Sequence, residues 1–318
     1  MVDIKEVAEN IYMIDDHLYS IPEWGSVYLI NEEKKALIDT GPTTSLSVVL
    51  DGIKRAGVRS EDIDYIIVTH IHLDHAGGAG VIIRDMPHAQ VLVHHRGAKH
   101  LVNPAKLIGS AIEAHGEETM VKHGEVVPIA AERVKPVYEG DVLKLGEKQD
   151  LKFIDAPGHA PHELCIYESR NSGLFVGDAA GMSVAENEIL LLDAPPPSFD
   201  AELCIDTLER LIKLKATMIY FAHFGVSDKG QENLRSAIGR LQVWDDIITE
   251  AVKEDGFEAA AERIMAQVCA DLEPVRKMEP LYKYITEVTT PLSIAGYLKY
   301  YQKKHRRGWI RRRSSESN

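Results

Sequence analysis

Three histidines and one aspartate fall within six consecutive positions of this chain, directly after an apolar run. Residues 65–69 are apolar or β-branched, which predicts the end of a buried strand. The next positions carry His70, His72, Asp74 and His75. Neutral imidazole and carboxylate are ligands that suit zinc, iron and manganese. Crowding four such groups at one strand end is costly without a cation, so the segment predicts a metal site.

Three more strand-like segments each end in a residue that can bind a metal. One runs into a Pro-Gly turn that presents His159, and the other two end at Asp178 and at His223. Loops beyond the carboxyl ends of sheet strands can converge without disturbing the core. We therefore expect these three residues to gather beside the first group.

Together with Asp39 in the segment Leu-Ile-Asp-Thr-Gly, these residues resemble the metallo-β-lactamase-fold hydrolase superfamily, and in particular its glyoxalase II and lactonase branch. The order and approximate spacing of the motifs agree over residues 10–225. The resemblance implies an α+β fold, a four-layer αββα sandwich, and we expect a C-terminal helical extension.

The resemblance also implies two metal subsites. The implied ligands are His70, His72 and His159 for the first ion and Asp74, His75 and His223 for the second, with Asp178 as the bridge. The expected cofactors are two divalent ions, zinc first, with iron or manganese as alternatives. A metal-bridging hydroxide would attack the substrate, so no serine or cysteine nucleophile is needed. Asp178 would hold the ions in register and Asp74 would orient the water, which makes these two the candidate catalytic residues.

Two further residues are candidates for supporting roles. Asp39 either caps the next helix or, as in the resembled family, orients the metal-binding loop; we favour the second because ligand histidines need an acceptor behind them. His162 lies three positions beyond His159. It is either a turn residue that satisfies backbone groups or a contact to a ligand or the substrate, and both interpretations stay open.

The remaining histidines match no ligand position of the family. We interpret His94 and His95 as a surface pair at a strand end, because most lone histidines have structural roles. For the same reason we favour His115 and His123 as exposed helix residues, with contact to the substrate as the alternative for either.

The chain divides by pattern into three parts. Residues 1–227 form the expected core, residues 228–304 a helical cap, and residues 305–318 a basic tail. A helical insertion at residues 97–130 and a proline-stiffened loop at residues 179–199 are the expected walls of a substrate pocket.

Charge and composition limit the partners. The net charge of the chain is −13. Residues 303–318 have a net charge of +6, so the other residues together have a net charge of −19. A body this acidic repels a phosphate backbone, so we expect a small-molecule substrate and no nucleic acid. The three scattered cysteines fit a reducing compartment. The N-terminal residues do not resemble a signal peptide, and no apolar run approaches the about 20 residues that a membrane span requires. We therefore expect a cytoplasmic protein with no membrane span. The oligomeric state stays open, a homodimer included.

The favoured function is metal-dependent hydrolysis of a small ester, thioester or lactone. Family lactonases carry a tyrosine three residues past the bridging aspartate, where this chain has Gly181, which argues against a lactone without excluding it. Flavodiiron proteins have glutamate in place of His72, so oxygen reduction is not expected. The alternatives are a mononuclear iron oxygenase of the persulfide dioxygenase type, a phosphodiesterase, and a binding protein that has lost turnover.

Overall fold

The computed structural model describes residues 4–184 and 189–315, apart from the side chains of His115 and of residues 306–315. Two β-sheets pack face to face and helices cover their outer faces, so the predicted α+β sandwich is confirmed. The strands are β1 Ile4–Ala8, β2 Ile11–Asp15, β3 Ser26–Asn31, β4 Lys35–Ile38, β5 Ile63–Ile67, β6 Gln90–His94, β7 Val134–Val137, β8 Val142–Lys144, β9 Asp150–Asp155, β10 Leu164–Glu168, β11 Gly173–Phe175, β12 Met182–Val184, β13 Ile189–Leu191, β14 Met218–Tyr220 and β15 Val226–Ser227. The helices are α1 Leu46–Arg55, α2 Leu73–Ala76, α3 Ala79–Ile82, α4 Ala98–Val102, α5 Ala105–His115, α6 Met120–His123, α7 Ala201–Ile212, α8 Gly230–Glu254, α9 Phe257–Asp271, α10 Glu279–Tyr284 and α11 Thr290–Ser315.

The first sheet contains β1 to β7 in chain order. Strands β1 to β4 form an antiparallel meander, and β4 to β7 are mutually parallel. The parallel connections contain α1 to α6, and side chains of α1 to α4 form the apolar layer on the outer face of this sheet. The second sheet has the order β15-β14-β11-β10-β9-β8.

Strands β9, β11 and β14 of the second sheet run in one direction. Both β9 and β11 pair antiparallel with β10, and β14 pairs parallel with β11. Their carboxyl ends therefore meet at one edge of the sheet, and the residues that follow them emerge there together.

The alternation of side chains along each strand divides the interior into three apolar layers. On β3, Val27 and Leu29 face the helices of the first sheet, whereas Tyr28 and Ile30 face the second sheet. On β10, Ile166 points between the sheets and Cys165 points to the other side. This period of two is what a strand buried on both faces requires, and it produces the four-layer packing.

The C-terminal helices are packed on the outer face of the second sheet. Trp244 of α8, Ile264 of α9 and Tyr297 of α11 belong to the same apolar cluster as Leu174 and Ile219 of that sheet. The region after residue 228 is helical, as the apolar periodicity predicts. The division into a core of residues 1–227, a cap of residues 228–304 and a tail stays a prediction, and α11 itself continues through Ser315. In residues 4–184 and 189–315, no helix combines the length and the apolar character that crossing a bilayer requires.

One local expectation needs correction. The stretch expected to be a loop between Asp178 and the prolines contains a short hairpin, in which Met182–Val184 pairs with Ile189–Leu191. Strands of three residues are too short to produce a readable alternation of apolar and polar positions, so the sequence did not indicate them.

The segment between β2 and β3 has an unusual backbone. His17, Tyr19, Ser20 and Glu23 all have positive φ, with 56° at Tyr19. Bulky residues rarely adopt this region, because the Cβ atom crowds the backbone. Two buried carboxylates hold the segment in place, since Asp15 accepts the amide N–H groups of His17 and Glu23, and Asp16 accepts that of Leu18. The strain is thus compensated by hydrogen bonds.

Asp16 should make the stability of the metal-free protein depend on pH. Burial, aided by Asp15, raises the pKa of Asp16 from 3.8 to about 7. Its carboxyl therefore keeps a proton that the unfolded chain releases, so this stabilisation is lost as the pH rises through about 7. Between pH 5 and pH 8 the loss should be about 2 to 3 kcal/mol, and Asp16→Asn should remove it.

Urea unfolding of the metal-free protein across this pH range measures the effect. The control is Asp51→Asn, which replaces an exposed carboxylate on α1 and should keep the wild-type pH dependence. An Asp16→Asn variant with the same pH dependence as the wild type would show that Asp16 is ionised throughout.

Candidate metal centre

The first sheet supplies four of the predicted ligands from one short segment. Strand β5 ends at Ile67, and the extended residues that follow carry His70 and His72. Helix α2 begins immediately after His72, so Asp74 and His75 lie in its first turn. The change from extended chain to helix allows four neighbouring side chains to approach one point from different directions.

The second sheet supplies the other three. His159 follows β9, Asp178 follows β11 and His223 follows β14, and these strands end at a common edge. The structure therefore brings together all seven residues that the sequence singled out, at one end of the sandwich.

Three of the histidines form a first triad, consisting of His70, His72 and His159. The Nδ1 atom of His72 lies 3.0 Å from Nε2 of His70 and 3.0 Å from Nε2 of His159. A second triad consists of Asp74, His75 and His223. Its Asp74 Oδ2 atom lies 3.8 Å from Nε2 of His75 and 3.7 Å from Nε2 of His223.

Asp178 lies between the two triads. Its Oδ2 atom is 3.6 Å from Nε2 of His70 and 3.5 Å from Nε2 of His159, and it is 3.2 Å from Nε2 of His75. Its Oδ1 atom is 3.7 Å from Nε2 of His223. One carboxylate thus reaches nitrogen atoms of both triads, which is the geometry of a bridging group.

The donor set fits a pair of metal ions. His70, His159 and Asp178 are buried, and within the described part of the chain the Oδ1 atom of Asp178 has no hydrogen-bond partner. A buried carboxylate oxygen without a partner is expensive. Nitrogen and oxygen atoms that converge at these distances form ligand sets for zinc and related divalent metals.

Outer hydrogen-bond partners orient three of the imidazoles. The Nδ1 atom lies 3.1 Å from Asp39 in His75, 3.2 Å from the Trp24 carbonyl in His223 and 3.3 Å from the Asp193 carbonyl in His159. The Nδ1 atom of His70 lies 3.2 Å from the Thr69 hydroxyl and 3.4 Å from a Glu163 oxygen. Because an acceptor at Nδ1 favours a proton there, the Nε2 lone pair is left to face the centre.

Asp39 lies behind the second triad. Besides its contact to His75, it accepts the backbone N–H of Thr69 at 2.7 Å and the Thr69 hydroxyl at 2.9 Å. This carboxylate therefore contacts both the start of the metal-binding segment and one of its histidines. The geometry suits the orienting role expected for Asp39.

Sequence reasoning missed two carboxyl groups beside the cluster, the buried Glu163 and the half-buried Asp193. Glu163 accepts the backbone N–H of Asp178 at 2.9 Å, and burial raises its pKa well above the usual range. Asp193 lies beside Nδ1 of His159, and burial together with Asp178 raises its pKa to about 8. Glu163 directly follows the candidate residue His162, and this position could have identified it. Nothing in the local sequence marks Asp193.

The charge state of the cluster follows from burial and from the carboxylates. Burial lowers the pKa values of His70 and His72 well below the usual range, so both stay neutral and able to bind metal. Although burial opposes it, the neighbouring His75 and His223 lower the pKa of Asp74 to about 2. Asp74 is therefore an anion at neutral pH.

His162 lies next to the first triad and lines the cavity described below. Its ring is nearly parallel to that of His70, and the two ring centroids are 6.2 Å apart. The distance between the ring centroids of His162 and His72 is 5.6 Å. Burial, with a contribution from His159, lowers its pKa to about 3. His162 is thus a neutral imidazole that faces the space above the ligands.

A cavity of about 410 Å³ opens over the cluster. Its walls include Lys106 and Leu107 of the insertion and Pro195 to Pro197 of the proline loop. The C-terminal helices provide a third wall that sequence analysis did not foresee. The residues of that wall are Tyr284, Val288, Thr289, Leu292 and Lys299.

Two interpretations of the other histidines were wrong. His123 is buried and lines the cavity instead of being exposed, because α6 folds back over the site. His94 is also buried, and its Nε2 atom lies 3.3 Å from Asp155. The half-buried His95 stacks on it. The prediction for the His115 side chain lies outside the described residues.

The fold and the cluster agree with comparisons against known proteins. The sequence model of the metallo-β-lactamase superfamily matches residues 22–223, which include every residue of the two triads and Asp178. The chain belongs to the metallo-β-lactamase superfamily. Its fold is therefore that of a superfamily whose members bind divalent metals, and its His/Asp cluster lies inside the matched residues.

Other members of the superfamily resemble this chain over most of its length. The metallo-β-lactamase fold-containing protein ST1585 of Sulfurisphaera tokodaii is 30% identical over 230 residues, covering 70% of this chain and 82% of that protein. Human acyl-coenzyme A thioesterase MBLAC2 is 27% identical over 231 residues, covering 66% and 75%.

Solved structures extend the likeness to the C-terminal helices. The crystal structure of ST1585 aligns with a TM-score of 0.62 at 27% identity, covering 73% of this chain and 85% of that one. That of the metallo-β-lactamase family protein TTHA1429 from Thermus thermophilus aligns with a TM-score of 0.67 at 18% identity, covering 94% and 95%. The second likeness concerns the fold alone, and it spans nearly the whole chain.

Proposed function

We propose that the protein is a dinuclear metal-dependent hydrolase that acts on a small ester, thioester or lactone. One observation carries the proposal: a single buried carboxylate, Asp178, lies within 3.7 Å of nitrogen atoms from both triads. His70, His72 and His159 would hold one ion, and Asp74, His75 and His223 the other. Two ions held by these residues would supply a water activated near neutral pH and a Lewis acid for the substrate oxygen.

The residues of the chain have separable tasks in this scheme. Asp178 would fix the position of the two triads relative to each other. It is buried, and its backbone N–H donates a hydrogen bond to Glu163. Asp74 is the partly exposed member of the second triad and lines the cavity. As an anion it would accept a hydrogen bond from the attacking water and fix its direction.

A nucleophilic cysteine is not needed and is not provided at the site. Cys165 and Cys204 are both buried, and burial raises the pKa of each thiol. The Cys165 Sγ atom donates a hydrogen bond to the carbonyl of Val176. Only a thiolate is a good nucleophile, and both of these thiols stay protonated. Their protonation supports water, and not cysteine, as the attacking group.

The cavity and the relatives support an acyl substrate. The walls combine apolar side chains such as Ile71, Leu73 and Met182 with a few polar groups, as expected for a small organic ligand. The human relative is named as an acyl-coenzyme A thioesterase. The acidic body of the protein disfavours nucleic-acid substrates. Zinc is the proposed native metal, with iron and manganese as alternatives, because imidazole and carboxylate ligands accept all three.

A hydrolysis screen on protein of measured metal content tests the proposal. We expect about two zinc ions per chain and turnover of at least one member of a panel of aryl thioesters, aryl esters and γ-lactones. About one iron per chain with oxygen uptake would instead indicate an oxygenase. Turnover confined to bis(4-nitrophenyl) phosphate would indicate a phosphodiesterase, and a fully metallated protein inactive on the whole panel would contradict the proposal.

A further inference from the structure

Two tyrosines from distant parts of the chain meet over the second triad. Tyr19 belongs to the strained segment between β2 and β3, and Tyr284 is the last residue of α10. Their ring centroids are 5.3 Å apart. Both rings line the cavity, together with Asp74 and His223. Two phenols therefore share the space that a substrate would enter, and neither belongs to the metal ligands.

Aromatic contacts connect this pair to the second triad. The indole of Trp24 lies 4.9 Å from the ring of His223 and 6.1 Å from that of Tyr284, measured between centroids. On the other side, the Tyr19 hydroxyl lies 3.5 Å from Nδ1 of His123. The pair thus occupies a defined position beside His223 and is not a loose surface feature.

Both phenols keep their protons at neutral pH, and the Tyr19 hydroxyl is hydrogen-bonded to that of Tyr284, a contact that a substrate oxygen would replace. Burial raises the pKa of Tyr19 and that of Tyr284, and the carboxylate of Asp74 raises both further. The ammonium group of Lys122 lies over both rings, 5.9 Å from the centroid of Tyr19 and 4.8 Å from that of Tyr284. Lys122 thus offsets part of the negative charge of Asp74, and the two O–H groups are hydrogen-bond donors for an oxygen atom that gains charge.

The strain at Tyr19 points to a reason for its placement. A tyrosine at a φ of 56° is unfavourable, and the residues on either side of it are fixed by two buried carboxyl groups, since Asp15 accepts the N–H groups of His17 and Glu23, and Asp16 that of Leu18. Backbone strain of this kind persists where surrounding contacts over-determine it, and it concentrates at functional sites. A ring that served only for packing would not require this conformation.

We propose that Tyr19 and Tyr284 bind the carbonyl oxygen of the substrate and stabilise the negative charge that develops on it. This inference rests on the proposed hydrolase function. Water adds to the carbonyl carbon while the π pair of the C=O bond moves onto the oxygen. Re-formation of that bond expels the leaving group with its bonding electrons, and the leaving group takes the proton that the water has lost. The two phenols donate hydrogen bonds to the oxygen throughout and exchange no protons.

Binding of phenylphosphonate, a tetrahedral anion, to the zinc-loaded protein tests this role without relying on turnover. By calorimetry we expect Tyr19→Phe and Tyr284→Phe each to weaken binding by about 10-fold. Tyr282→Phe, on the same helix but near Cys269, should bind as the wild type does. Wild-type affinity in both site variants, or no binding by the wild-type protein, would overturn the inference.

Kinetics on the substrate found in the screen provide a second measurement. We expect kcat to fall at least about 10-fold in each site variant with KM within about 3-fold, because the oxygen gains charge only during reaction. An equal rise in KM with unchanged kcat would overturn the proposed role. If phenylphosphonate binding depends on both tyrosines but no acyl compound is hydrolysed, the hydrolase proposal fails while the anion site stands.

Discussion

Replacing His72 with alanine is expected to remove bound metal and hydrolytic turnover together. The Nδ1 atom of His72 is the point at which the first triad converges, 3.0 Å from nitrogen atoms of both His70 and His159. Losing even an outer partner of a ligand typically weakens metal binding by about 10- to 100-fold, so losing the ligand itself should weaken it by at least about 100-fold. Metal content after dialysis, measured by mass spectrometry beside turnover, gives the result.

The matched control for this variant is His88→Ala, which removes an exposed imidazole outside the cavity. It should keep the wild-type metal content and activity. A metal-depleted His72→Ala protein that turns over the true substrate at the wild-type rate would refute the metal-dependent mechanism.

Gly296→Ala is expected to be the most damaging small substitution in the C-terminal helices. A Cβ atom at this position in α11 would lie 1.8 Å from the carbonyl oxygen of Ala194 and 2.8 Å from the backbone nitrogen of Pro196. Backbone atoms cannot rotate away as a side chain can, so the helix and the proline loop must separate. We expect the unfolding free energy to fall by about 3 kcal/mol, as in overpacked cores.

Gly239→Ala is the control, since this glycine also lies inside a long helix but a Cβ atom there meets nothing within 4 Å. That variant should gain about 0.5 to 1 kcal/mol, because alanine loses less backbone entropy in a helix. Denaturant unfolding of the two variants separates the effect of helix propensity on stability from the effect of close backbone packing. Equal stability of the two variants would mean that α11 does not touch the proline loop.

Much of the metal centre is readable from the sequence because its ligands follow apolar strands. His70, His159, Asp178 and His223 each come after such a segment, and strand ends at a common edge converge in space. The apolar segments at β3 and β10 indicated strands. The four-layer sandwich, however, was implied by the resemblance of the metal-binding motifs to the superfamily and not by the pattern of these strands.

The parts that were missed depend on contacts between distant segments. The Trp24 carbonyl that orients His223 is a backbone atom and has no sequence signature. Asp193 lies just beyond the hairpin β12–β13, and the position of that hairpin brings it to His159. His123 is buried because α6 folds over the cavity, which a lone histidine on a polar helix does not reveal. Tyr284 reaches the cavity through the packing of helices far along the chain.

The third wall of the cavity has a consequence for protein engineering. Every side chain of the two triads, and Asp178, belongs to residues 70–223, whereas Tyr284 and Leu292 are contributed after residue 228. The proposed ligands and one of the cavity walls therefore come from separate stretches of the polypeptide. Exchanging the helical ending on the same sandwich should reshape that wall and leave the His/Asp cluster with all of its residues.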